Sequence, residues 1–308
     1  MNNLKIFPAK KNTPEELIET QLKKLKILPA KKNKPKEIFK IHNYLLQPPF
    51  NSLIISPTCS GKSTVILNLI LNDNFYKKIF DKIYYFSPSV MIDETLNAIA
   101  EDEDIIKFDD DDDLNNADNI LKAIEHEQKD KPEEERKNIL IVYDDMLPYL
   151  KTTSYIGKLY TKSRHYKISC LLTSQHYSSA PLKCRNNSQM ILISKLYNES
   201  ELEKVNHELG ANFKNFLHYY NLCVNEPYGF IYCDFRNMKL YKNFDTLLWS
   251  KMDDLSKNKL NNKSSSESSY ESSSESSSES SAGDDEYYKD YKDIKNKINK
   301  FRKIIKKK

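Results

Sequence analysis

Residues Ile55 to Thr64 read ISPTCSGKST. A phosphate-binding loop needs backbone N–H groups and a helix N-terminus converging on one anion, a lysine that reaches the outer phosphates and a hydroxyl for magnesium. Gly61, Lys62 and Ser63 match the end of the G-x-x-x-x-G-K-[ST] pattern, and Thr64 follows them. Ser56 stands where the pattern has its first glycine. Pro57 beside it fixes its own φ and drives Ser56 toward an extended conformation. The candidate nucleotide-binding loop is therefore Ser56, Pro57, Thr58, Cys59, Ser60, Gly61, Lys62, Ser63 and Thr64, with an altered mouth and an intact anion-binding half. Such a loop implies ATP and Mg2+; a Gly-Lys-Ser turn that binds nothing is the bland alternative.

The surroundings decide between them. SLII (Ser52 to Ile55), KIYYF (Lys82 to Phe86), ILIVY (Ile139 to Tyr143), ISCLLTS (Ile168 to Ser174) and MILIS (Met190 to Ser194) are continuous apolar runs, the pattern of strands covered on both faces. Helix-length segments lie between them at Ser63 to Asn72, Ile92 to Glu101, Asn119 to Lys129 and Tyr149 to Ser163. Asn198 to Gly210 and Phe213 to Leu222 read as two further helices. GFIYCDF and KLYKNF, separated by Arg236 to Met238, read as an antiparallel hairpin closing one edge of the sheet. The fold class is α/β: a P-loop NTPase core with a mainly parallel sheet flanked by helices and a C-terminal β-hairpin, plus disordered tails.

ILIVYDDM ends a buried strand in two carboxylates, placing Asp144 and Asp145 at the edge where ligands of parallel sheets bind. Asp144 suits the magnesium, usually through water, and Asp145 suits an attacking water; both could instead cap the next helix. In SRHYKISCLLTSQ, Gln175 follows a strand expected beside that of Asp144, within reach of a γ-phosphate or its attacking water. Arg164 precedes this strand and Arg185 follows it. Each is a candidate arginine finger, in its own subunit or a neighbour's, or a solvated surface arginine.

The 308 residues carry a formal charge of +4, with 39% hydrophobic and 30% charged residues. That average is too polar for one uniform globule and points to flanks that dilute a core. Residues 1–44 form a basic arm with a duplicated motif, KIFPAKKNTPEE and KILPAKKNKPKE. The ATPase domain spans 45–250, a Ser/Glu-rich linker 251–286, and a basic amphipathic helix 287–308, with Tyr291, Ile294, Ile298, Phe301 and Ile305 at helical spacing. An acidic stretch, Glu101 to Asp113, stands as an insertion of unassigned role. In the linker, Ser264, Ser268, Ser272 and Ser276 each have glutamate three residues on, the spacing of acidophilic kinase sites; an inert spacer is the alternative. The five scattered cysteines show no metal-ligand spacing, and no apolar run approaches the ~18 residues needed to span a bilayer, so a soluble intracellular protein without stable transmembrane insertion is expected.

The order SPTCSGKST, ILIVYDDM, SRHYKISCLLTSQ, PLKCRNNSQMILI and a hairpin ending in YKNF resembles the HerA/FtsK superfamily of P-loop ATPases. Within it, the chain is most similar to the poxvirus-type genome-packaging ATPases of nucleocytoplasmic large DNA viruses and virophages, over about Leu45 to Trp249. The resemblance implies phosphate and magnesium binding by Lys62 and Ser63, magnesium binding by Asp144, the catalytic water at Asp145 and the γ-phosphate at Gln175. It also implies a homo-oligomeric ring, hexameric or pentameric, that threads double-stranded DNA into a capsid and contacts capsid or virion components. The location implied is the viral factory in the host cytoplasm, with the virion a second place. Two other readings are weighed. A tailed-phage-type terminase motor would need a nuclease domain after the ATPase, where only the linker and basic helix follow. A nucleotide-binding virion or scaffold protein with weak or no turnover is favoured by Ser56 alone.

Overall fold

The computed structural model describes residues 39–252 and 254. Expectations for the arm before residue 39, the Ser/Glu linker, its serines and the terminal basic helix lie outside the described residues. Six parallel strands, β1 (Asn51–Ile55), β2 (Lys82–Phe86), β3 (Ile105–Phe108), β4 (Ile139–Tyr143), β5 (Ile168–Ser174) and β6 (Met190–Ser194), precede the antiparallel β7 (Phe230–Asp234), β8 (Lys239–Lys242) and β9 (Thr246–Ser250). They form one sheet in the order β3-β2-β4-β5-β1-β6-β7-β8-β9.

The continuous apolar runs are explained by a core on each face. Leu53 and Ile55 of β1 pack on one side and Ile54 on the other, as the two-residue period of a strand requires. Helix α1 (Lys62–Leu71) covers the Ile54 face with Ile66, Leu69 and Ile70, a three-and-four spacing that makes one apolar stripe. The short helices α2 (Asn97–Ala100) and α3 (Asp111–Asn115) come next in the chain. The opposite face is covered by α4 (Ala117–Lys129), α5 (Tyr155–Lys162), α6 (Leu182–Asn187), α7 (Glu199–Leu209) and α8 (Phe216–Val224). β1 thus lies in mid-sheet between β5 and β6, and its C-terminal end, with that of β4, opens on the edge where parallel sheets bind ligands.

Three local expectations change. The acidic stretch, expected only as an insertion of unassigned role, carries regular structure: Ile105–Phe108 pairs parallel with β2 as the edge strand, and Asp110 caps α3 by accepting from Asp113 N at 2.8 Å. Asp111, Asp112 and Asp113 occupy the first turn of that helix, where its dipole favours negative charge. The helices expected at Ile92 to Glu101 and Tyr149 to Ser163 are shorter: a 3-10 turn, Glu94–Leu96, leads into α2, and α5 starts only at Tyr155. The C-terminal hairpin is present as β7 and β8, but β9 pairs beyond it and forms the edge.

Candidate active site

The loop after β1 continues the sheet for one residue, since Ser56 N donates to Ser174 O at 2.9 Å. Ser56 is 1% exposed, and its hydroxyl lies 3.0 Å from that of Ser194 at the end of β6 and bonds to Ser60. Ser60 also donates to Pro57 O. The side chain that replaces the usual glycine is therefore satisfied inside the protein, and the turn is closed by its own hydroxyls. Cys59 and Gly61 both take left-handed φ, 61° and 85°. Gly61 is required twice over: its φ suits glycine, and a Cβ there would stand 3.2 Å from the Tyr228 ring. Helix α1 then starts with no side-chain cap and no acidic residue in its first turn, so its N–H groups and positive dipole end are left for an anion.

Lys62 is 9% exposed, and its ammonium bridges the two carboxylates, bonding to Asp145 and lying 3.7 Å from Asp144. Asp144 is held from both neighbouring strands. Its N–H donates to Phe86 O of β2, and its carboxylate accepts from Tyr85 at 3.0 Å and Thr173 at 2.8 Å. Burial pushes its carboxyl above the usual range against the opposing pull of Lys62. Asp145 takes a left-handed φ of 53°, and its N–H donates to Thr173 Oγ1 at 3.1 Å, so one threonine hydroxyl orients both positions.

The Ser63 hydroxyl donates to Asp93 Oδ2 at 2.8 Å, a residue that sequence reasoning missed. Asp93 lies in the segment after β2 and caps the Glu94–Leu96 turn through Thr95 N. Burial alone would raise its carboxyl, but the bonds from Ser63 and Thr95 hold it below the usual range. Nothing in the string SVMIDET singles it out except an aspartate that could cap a following turn. Together Ser63, Asp93, Asp144 and Asp145 present only hard oxygen donors, which suit magnesium. Among the described residues no group of three or more His, Cys, Asp or Glu is placed to hold a metal ion.

Gln175 is half-buried directly after β5, on the same edge as Ser56 and Asp144. The turn that follows it is fastened by Ser174 and His176, by Glu201 accepting from Ser178 and by Glu208 accepting from Tyr177. Arg185 of α6 belongs to this fastening. Its Nη1 donates to the carbonyls of Tyr177 and Ser178, both at 3.2 Å, and its guanidinium lies over the Tyr177 ring. Arg185 is thus committed to the turn behind Gln175. Arg164 is exposed before the start of β5, the strand's length away from Gln175 at roughly 20 Å. The structure does not bring it to the Lys62 site of its own chain. It lines instead a cleft of about 570 Å³ with Gln47, Asn51 and Arg236.

A second cleft, of about 940 Å³, adjoins the loop itself. Gly61, Thr64, Phe75, Tyr228, Asn243 and Phe244 are among the residues that line it. An aromatic-lined space beside a phosphate site fits a nucleobase. Its lining comes from the segment before β1, the loop and α1, the turn after that helix and the ends of the C-terminal hairpin, and no local pattern in the sequence links them.

A sequence model of the family described as poxvirus A32 protein matches residues 37–226. The chain belongs to that family. It is a DNA-packaging ATPase of the P-loop class. No curated protein sequence matches it. Among solved structures, the genome-packaging NTPase B204 of Sulfolobus turreted icosahedral virus 2, in complex with AMP, is similar at 14% identity and a TM-score of 0.50, covering 64% of this chain and 98% of that one. B204 of Sulfolobus turreted icosahedral virus, described as the DNA-packaging ATPase, aligns at 15% identity and 0.47 over the same shares. The first likeness is one of fold. Among the described residues, no helix is long and apolar enough to cross a membrane.

Proposed function

We propose that the chain hydrolyses ATP at the Lys62, Asp144 and Asp145 centre and uses it to move double-stranded DNA into a viral capsid. The observation that carries this is the Lys62 ammonium set between two carboxylates at the uncapped start of α1. A triphosphate arriving there takes Lys62 as counter-ion and frees both carboxylates. The loop Ser56 to Thr64 cradles the phosphates, Ser63 and Asp144 hold Mg2+, Asp145 orients or deprotonates the attacking water, and Gln175 contacts the γ-phosphate from its fastened turn. Bound magnesium neutralises charge developing on the phosphate oxygens. The Tyr228 cleft takes the base.

Arg164, exposed at the far edge, acts on the nucleotide of a neighbouring copy, which makes a homo-oligomeric ring the active form. Arg185 serves its own turn rather than a phosphate. The N-terminal lysines, Lys183 and the C-terminal lysines are the candidates for a sequence-independent DNA-facing surface, and affinity should fall steeply with salt. Capsid or virion components are its docking partners, and the viral factory and the virion its places of action.

The test is ATP turnover with and without duplex DNA. Stimulation by DNA that disappears in Lys62→Ala is expected, and turnover indifferent to Lys62→Ala would sink the site. Arg164→Ala should keep nucleotide binding and lose DNA-stimulated turnover, with activity returning on mixing with Lys62→Ala subunits in the same ring. No rescue on mixing would remove the role in trans.

A further inference from the structure

Ser63 occupies the position whose hydroxyl a phosphate loop gives to magnesium, and here that hydroxyl donates to Asp93. The contact is built in by the chain around it. β2 is hydrogen-bonded to β4, so the segment leaving β2 emerges at the same sheet edge as Asp144. The segment is then pinned: Ser87 N donates to Phe108 O at 3.0 Å, Asp93 N donates to Ser89 O at 2.9 Å, and Val90 and Leu96 are fully buried. Asp93 divides its two oxygens between two tasks. Oδ1 accepts from Thr95 N at 2.9 Å as a cap, and Oδ2 accepts from Ser63 at 2.8 Å. A cap alone uses one oxygen, and asparagine, serine or threonine would serve it equally. The second oxygen, aimed at the magnesium-binding hydroxyl, is what the cap does not account for.

We propose that Asp93 is a positioning residue of the ATPase centre: it holds the Ser63 hydroxyl ready in the nucleotide-free enzyme and supplies a third carboxylate for the water shell of Mg2+ once Mg–ATP is bound. This rests on the reading of Ser56 to Thr64 as the ATP site. Magnesium dehydrates reluctantly and keeps several waters, so a carboxylate that accepts from those waters strengthens its hold without being a ligand itself. The loss of such outer partners commonly costs tenfold or more in metal affinity.

The experiment uses the full chain and a fluorescent, slowly hydrolysed ATP analogue, titrated in EDTA and in stepped MgCl2. Asp93→Asn keeps the cap oxygen, so it retains the fold, but it removes the charge and the Ser63 acceptor. The expected result is a magnesium midpoint raised about tenfold, analogue affinity in EDTA within twofold of wild type, and recovery of the midpoint to within threefold in Asp93→Glu. A wild-type midpoint in Asp93→Asn overturns the proposal. So does equal weakening with and without magnesium, which would reduce Asp93 to shaping the loop. Lys62→Ala separates the two levels: if it binds the analogue as wild type does, the ATP-site reading itself falls, whatever Asp93→Asn does.

Discussion

The hydroxyl of Ser56 and the hydroxyl of Ser194 lie 3.0 Å apart in the interior, joining the mouth of the phosphate loop to the end of β6. The residue that departs from the loop pattern is thereby a structural link between adjacent strands. Ser56→Gly breaks it, leaves Ser194 without that partner and adds backbone freedom to the unfolded chain. A loss of about 1 to 2 kcal/mol is expected, or roughly 3 to 6 °C in Tm. The nucleotide Kd should move less than about threefold. A tenfold tightening in Ser56→Gly would instead show that serine obstructs the site.

Asp144 is 1% exposed, the buried carboxylate to which the proposed site assigns magnesium. Asparagine fills the same space and can still meet Thr173 and Tyr85, while the desolvated charge is gone. Asp144→Asn should melt higher than wild type in the absence of nucleotide, by a few degrees on the order of 2 to 4 °C per kcal/mol. Turnover should fall by about a thousandfold, the scale of losing one electrostatic partner of a transition state. Calorimetry and single-turnover assays together test this; a destabilised variant would contradict it.

Tyr228 stands against Gly61 at the mouth of the 940 Å³ cleft. Stacking of a base on an aromatic ring is worth about 1 to 3 kcal/mol by alanine substitution. Tyr228→Ala should therefore weaken ATP binding about tenfold and leave inorganic triphosphate unaffected, whereas Tyr228→Phe should bind ATP as wild type does. Equal weakening of ATP and triphosphate would place the base elsewhere.

Glu201 of α7 fastens the turn behind Gln175 by accepting from Ser178. Burial would raise its carboxyl, but those bonds hold it below the ordinary glutamate range. A carboxyl depressed in the folded state stabilises the protein above its unfolded value, and that stabilisation is lost as pH falls through the folded value. Glu201→Gln should thus cost about 1 to 2 kcal/mol near neutral pH, with the gap to wild type closing once acid takes the medium below the ordinary glutamate range. Thermal melts of both proteins across that interval supply the check, and a gap independent of pH would rule out an ionised Glu201.

Much of the site was legible because it is local. A lysine and serine after glycine, or two aspartates ending an apolar strand, carry their geometry with them, since a strand of known direction delivers its next residues to a known edge. Asp93 and the cleft beside Tyr228 were not legible. Asp93 meets Ser63 across 30 positions only because β2 lies beside β4, and the cleft is assembled from segments as far apart as Gly61 and Phe244. The acidic stretch hid its strand for a related reason: Ile105–Phe108 offers only three apolar residues beside Lys107, a signal swamped by neighbouring aspartates, and pairing with β2 supplies what local pattern lacks.

By itself the sequence determined the α/β class, the order of five of the six parallel strands along the chain and the position of the phosphate-loop pattern between the first of them and its helix. These follow from periodicity, backbone preference and donor chemistry, which act over a few neighbours. Tertiary structure alone decided that Ser56 is satisfied by Ser194, that Lys62 bridges Asp144 and Asp145, that Arg185 is spent on its own turn, and that Arg164 lies at the opposite edge. Those outcomes depend on strand order and register, which are settled by burial of both sheet faces across the whole chain rather than by any segment of it.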